Sequence, residues 1–250
     1  MKKGLVHPAV FTAALKYSVP VLLGYLAIGL AFGLLIAGAA YPWWLALVMS
    51  LVMYAGAGQY IAVGLFAAGT TLWEVLLVQL VVNARHMAYG ISMLKRFRRA
   101  GPYKYYLIFA LTDETFALLS SLPDPVERGE GPAGGVSGVF PEPLFMFYVS
   151  LLNQGYWVAG SVIGAIAGSL LPFNTEGIGF ALTALFVVLM IEQMLRVRRP
   201  GVFIVSALAA ALAAVFLPAR LSLLSALALA LALTPLVEKL SAPRPPEDRP

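Results

Sequence analysis

The chain is predicted to fold as an all-α, polytopic bundle of membrane-spanning helices, about six to eight of them. Three observations carry this prediction. The 250 residues are 60% apolar and only 12% charged, with a mean hydropathy of +0.86, about half the charge of an ordinary soluble domain. Apolar stretches of about 17–25 residues, enough to cross roughly 30 Å of hydrocarbon, recur along nearly the whole chain. Lys and Arg gather in short loops beside those stretches, as the positive-inside bias requires. The net charge of +5 therefore points to membrane topology and not to nucleic acid. One integral membrane domain is expected over 1–240, with a first half of about 1–122 and a second of about 142–240 joined by loop 123–141. The Pro-rich, polar tail 241–250 is expected to be disordered.

Taken in order, the apolar segments are 17–40, 44–69, 72–94, 103–122, 142–171, 177–195, 200–217 and 220–238. The first follows Met1-Lys2-Lys3, but its apolar run from Val19 to Ala40 is too long for a signal peptide and reads as a retained helix. Turn signals divide the rest: Tyr41-Pro42, Gly69-Thr70-Thr71, Gly101-Pro102, Leu171-Pro172, Pro200-Gly201 and Pro218. Within 44–69, Ala55-Gly56-Ala57-Gly58-Gln59 is a polar-tipped break. The one long loop is 123–143, rich in Pro and Gly and carrying Asp124, Glu127, Glu130 and Glu142.

Charge placement constrains the path. Eight straight crossings from a cytoplasmic N-terminus would export Lys95-Arg96-Phe97-Arg98-Arg99, against the positive-inside rule. If 44–69 and 177–195 are discontinuous or re-entrant, entering and leaving on one side, nearly every basic residue is cytoplasmic. Arg128 and Arg220 then lie outside, Arg85 lies in the membrane, and 123–143 is extracytoplasmic. Straight spans with local exceptions are the competing path. Gly24-Tyr25-x3-Gly29-x3-Gly33 returns as Gly155-Tyr156-x3-Gly160-x3-Gly164. Small residues at this spacing are ordinary helix glue, yet the shared Tyr and the half-chain offset also fit duplicated halves, inverted under this path.

Two polar runs interrupt the apolar pattern, Asn83-Ala84-Arg85-His86 and Thr112-Asp113-Glu114-Thr115. An ionisable group at such a position costs at least about 2.5 kcal/mol unless it faces a partner or a wet cavity. Their spacing from the short 95–102 connection predicts that Arg85, His86, Asp113 and Glu114 meet at one depth. A structural ion pair between Arg85 and a carboxylate is the bland reading; it leaves His86 and the neighbouring amides unexplained. Asp113, Glu114 and His86 are the candidates for proton coupling, since His and buried carboxylates can titrate in the physiological range. Arg85, Asn83, Gln59, Tyr54, Thr112, Asn153 and Gln154 are the candidates for substrate contact. Glu192 is expected to pair at the surface with Arg196 or Arg198. No metal site or cofactor is expected: the chain has no Cys and only His7 and His86. Enzyme signatures are absent, with no nucleophile elbow, Walker loop or zincin helix, and Asp113 is the only Asp within a span.

Several stretches carry a resemblance to a known family. They are Pro20-Val21-Leu22-Leu23-Gly24-Tyr25 leading to Gly29-Leu30-Ala31-Phe32-Gly33, and Tyr54-Ala55-Gly56-Ala57-Gly58-Gln59-Tyr60. Asn83-Ala84-Arg85-His86-Met87-Ala88-Tyr89 and Leu111-Thr112-Asp113-Glu114-Thr115-Phe116 complete the set. The chain resembles the AzlC family, the large subunit of two-component branched-chain amino-acid exporters, from about residue 10 to 238. The resemblance implies export of apolar amino acids across the cytoplasmic membrane of a prokaryote, driven by an ion gradient. It also implies a small hydrophobic partner subunit of the AzlD type. The other function classes are a passive channel for another small solute or ion, and a scaffold whose charges are dispensable. Of a zwitterionic substrate, the carboxylate suits Arg85 or the half-helix after Gly58, and the ammonium suits Asp113 or Glu114.

Overall fold

A computed structural model describes residues 8–122, 142–170 and 200–217, with scattered positions between 187 and 233. Among these residues every regular element is helical. The segments 123–141 and 177–186, the pair Glu192-Gln193 and the tail 241–250 lie outside the description, so the expectations placed on them have no structural counterpart here. Two units divide the chain, Met1–Ile178 and Gly179–Pro250. The second unit holds one long described helix, Pro200–Phe216 (α9), whose Ala209 and Ala213 are buried. Everything below concerns the first unit.

Helix α1 is Pro8–Gly38, 31 residues long and apolar enough to cross a membrane. Helix α8, Glu142–Leu170, lies against it. The glycine stripes explain how. Gly29 packs on Trp157, Gly160 and Ser161, Gly33 on Ser161 and Ala165, and Gly160 on Tyr25 and Leu26. Backbone meets backbone because neither stripe carries a side chain to hold the helices apart. The paired positions rise together (29 with 160, 33 with 164), so α1 and α8 run parallel. An in-plane axis would make equivalent helices antiparallel, so these two stripes do not relate inverted halves. They are each other's interface. Gly24 and Gly155, the first member of each stripe, face open space.

Three of the predicted segments are broken. Segment 44–69 becomes α2, Trp43–Val52, and α3, Gly56–Ala67. Between them Tyr54 takes φ +40, the left-handed region that bulky residues rarely enter. Tyr41, at the end of α1, packs on Phe66 near the end of α3, while α2 ends beside Gln154 in mid-α8. The pair is thus a re-entrant hairpin, the first of the two paths the charge pattern left open. Segment 72–94 becomes α4, Leu72–Val82, and α5, Ala84–Arg98, interrupted at Asn83. Thr71 and Glu74 form a capping box at the start of α4. Lys95, Arg96 and Arg98 occupy the last turn of α5, where cations complement the helix dipole.

Segment 103–122, expected to cross straight, does not. A short 3-10 turn, Gly101–Tyr103, leads into α6, Lys104–Phe109, and α7, Asp113–Ser120. At 1.5 Å per residue, each covers only about 9–12 Å, less than half the hydrocarbon core. The chain reverses at Ala110–Thr112 and comes back to the end it left. Arg96 donates to the carbonyls of Leu119 (2.9 Å) and Leu122 (3.0 Å) and pairs with Glu142. Leu122 and Glu142, the described residues on either side of 123–141, therefore both sit at the basic end of the bundle, beside Arg96. A core of Val10, Ala14, Phe97, Leu107, Leu119, Phe145 and Val149 fills this end.

This path is open to a direct check. Single Cys residues at Arg99, Ser121 and Thr70 should label with an impermeant reagent so that 99 and 121 react from one side and 70 from the other. Reaction of 99 and 121 from opposite sides would restore the straight crossing.

Candidate functional site

Each break leaves helix ends inside the bundle, where side chains of neighbouring helices bond them. The three breaks, at 53–55, 83 and 110–112, converge. Gln79 donates to the Gly58 carbonyl (2.8 Å) and accepts from Asn83 (2.9 Å), tying α4 to the start of α3. Gln154 of α8 accepts from Tyr106 (2.6 Å) and donates to the Leu51 carbonyl (3.2 Å) at the end of α2. Gln59, fully buried, donates to Ser50 (3.2 Å) and accepts from the Trp157 indole (2.9 Å). Tyr54 packs on Phe109, joining the first break to the third.

Two carboxylates open α7, in the first turn where the dipole favours them. Thr112 caps that helix, accepting from the Thr115 amide. Being adjacent on a helix, Asp113 and Glu114 point apart and have different surroundings. Asp113 is engaged: Arg85 lies 2.7 Å from one oxygen and Tyr89 donates to the other at 2.7 Å. Tyr89 stacks on Phe116, with His86 edge-on to it at 6.0 Å. Arg85 and Asp113 thus meet directly, with His86 against Tyr89 beside them.

Glu114 turns toward α1 and α8. Tyr25 donates to it at 2.6 Å, and the same hydroxyl lies 2.6 Å from Thr112. Thr112 in turn bonds Thr115 (3.0 Å), which accepts from the Asn153 amide (3.0 Å). Among the described residues no cation forms an ion pair with Glu114. Among the described residues, Ser150 Oγ, Asn153 Oδ1, Asn83 Oδ1 and Arg85 Nε are enclosed and make no hydrogen bond to protein.

The structure brings Gln59, Tyr54, Asn83, Arg85, His86, Thr112, Asp113, Glu114, Asn153 and Gln154 to the breaks. It adds Tyr25, Tyr89, Thr115, Gln79, Ser50 and Trp157. Tyr25 and Tyr89 stand inside the runs Gly24-Tyr25 and His86-Met87-Ala88-Tyr89, but an aromatic hydroxyl reads as ordinary packing until its partner is known. The described residues contain no group of His, Asp and Glu suited to a metal ion.

Among the described residues, interrupted helices meet around an Arg–Asp ion pair and a second carboxylate, an arrangement that fits a helical membrane protein. The chain belongs to the AzlC family. The family model described as AzlC protein matches residues 20–171, which hold every residue of the site. An uncharacterised membrane protein of Helicobacter pylori is 44% identical over 186 residues, 74% of this chain and 76% of that protein. The "Branched-chain amino acid transport protein AzlC" of Bacillus subtilis is 37% identical over 193 residues, 76% of this chain and 70% of that one. Inner membrane protein YgaZ of Escherichia coli is 30% identical over 215 residues, covering 84% and 82%. No solved structure matches the chain.

Proposed function

We propose that the protein is a secondary transporter that exports branched-chain and related apolar amino acids across the cytoplasmic membrane, coupled to protons. It would work with a small AzlD-type partner subunit. The basic end, with Lys95–Lys104, is taken as cytoplasmic by the positive-inside rule. The substrate class rests on likeness to the Bacillus subtilis protein.

The coupling rests on one observation: Glu114 heads a chain of hydroxyls and, among the described residues, forms no ion pair. Three short contacts share the hydroxyl protons of Tyr25, Thr112 and Thr115. When Glu114 is ionised, Tyr25 must donate to it. When Glu114 carries a proton, it can donate to Tyr25, whose own hydroxyl then turns to Thr112. One proton thereby reorders a buried network that spans α1, α7 and α8. Asp113, held by Arg85 and Tyr89, is better suited to anchoring the hairpin tip and tuning Arg85, with His86 alongside. A zwitterion between the breaks would offer its carboxylate to Arg85 or to the first amides of α3, whose N–H groups lack intrahelical partners. Its ammonium would meet Glu114. Asn83, Gln59, Tyr54, Thr112, Asn153 and Gln154 supply the remaining polar contacts.

Labelled leucine accumulating in inverted vesicles should respond to an imposed pH gradient and should require the co-expressed partner. Passive equilibration without accumulation or counterflow would favour the alternative, a channel for a small solute.

A further inference from the structure

Arg96 does something the other basic residues of its run do not. It turns inward, with its side chain 15% exposed, and Glu142 beside it is 11% exposed. Its guanidinium meets three acceptors on two separate elements. Two are carbonyls: that of Leu119 in the last turn of α7 and that of Leu122 just beyond it. The third is Glu142 in the first turn of α8. A planar fork of five donors suits such a multiple contact, and a Lys ammonium does not.

The position matters more than the pair. Helices α6 and α7 form a re-entrant hairpin whose tip carries Asp113 and Glu114, bonded there by Arg85, Tyr89 and Tyr25, while Arg96 holds its base. Besides Arg96, the base is tied to α1 by Tyr17, which bonds the Leu118 carbonyl (3.1 Å) and Ser121 (2.9 Å). Helix α7 has eight residues, so a shift at Ser120 is carried to Asp113 across about 12 Å with little loss. We propose that Arg96 and Glu142 form a latch at the basic end of the bundle. It holds the α6–α7 hairpin against α5 and α8, sets the depth of the two carboxylates, and closes the path between the helix breaks and that side. Opening the latch exposes the hairpin tip to the basic side. Arg96 and Glu142 are positioning residues; neither touches substrate.

The test uses the full chain in oriented vesicles with one reporter, Ala110→Cys, a small change at a buried site in the hairpin turn. In Glu142→Gln, labelling of that cysteine from the basic side should rise about tenfold over the parent, equivalent to about 1.4 kcal/mol of opening free energy. Labelling from the other side should stay at the parent rate. Glu142→Asp, the milder change, should give a smaller rise in the same direction, and Arg96→Lys a rise like that of Glu142→Gln. A parent rate in all folded variants overturns the latch, and so does an equal rise from both sides. Because the readout needs no substrate, it can fail or succeed independently of the transport reading above.

Discussion

Glu114→Gln should abolish pH-driven accumulation of substrate while leaving counterflow exchange measurable. The amide keeps the size of the side chain and can still bond Tyr25, but it cannot take up and release a proton. Tyr25→Phe should cost nearly as much, because Tyr25 is the hydroxyl that joins Glu114 to Thr112, Thr115 and Asn153. For both, a loss of coupled flux of at least about tenfold, or 1.4 kcal/mol, is expected. Asp113→Asn should behave differently: its carboxylate already holds Arg85 and Tyr89, so the change should lower binding or stability more than coupling. Proteoliposome flux under an imposed pH gradient, with each variant checked for folding, separates the two. Coupling lost in Asp113→Asn and intact in Glu114→Gln would transfer the proton to Asp113.

Gly33→Leu and Gly164→Leu should prevent recovery of folded protein. A Cβ at 33 would strike the Ser161 carbonyl and the Ala165 amide, and one at 164 would strike the Leu30 carbonyl. Overpacking costs about 1–3 kcal/mol when neighbouring side chains can yield. Here the neighbours are two helix backbones, so the cost should lie at or above that range. Gly29→Leu and Gly160→Leu are the milder cases, with nearest atoms at 3.1 and 2.9 Å. Gly24→Leu and Gly155→Leu serve as controls, since nothing lies within 4 Å of a Cβ there. Detergent-extracted yield and thermal stability report the outcome, and equal values for Gly24→Leu and Gly33→Leu would remove the stripes as an interface.

The sequence and the structure agree most closely where the physical penalty is local. A charge in an apolar stretch is costly wherever the fold puts it, so Arg85, Asp113 and Glu114 could be singled out one segment at a time. Glycine spacing marked a close helix contact for the same reason. The break within 44–69 was legible because Ala55–Gln59 interrupts an apolar run with small and polar residues. The breaks at Asn83 and at Ala110–Thr112 carry the polar runs themselves, and in the sequence such runs read as charged sites within straight helices. They are also helix ends: Thr112 caps α7, and Asn83 sits between α4 and α5.

What the sequence determined alone was the class of the protein, the positions where charge enters the membrane, and the residues by which it resembles its family. Each follows from a penalty or a motif contained in a few consecutive residues. The tertiary structure alone decided direction and partnership. Whether 103–122 crosses or turns back depends on Arg96 reaching Leu122 and Glu142. Whether the glycine stripes relate inverted halves depends on α1 and α8 lying parallel and against each other. Which carboxylate is held by a cation depends on Arg85 meeting Asp113 and not Glu114. In the membrane a hydrophobic segment is satisfied pointing either way, so hydropathy is blind to direction; only contacts between segments distant in the chain break that symmetry.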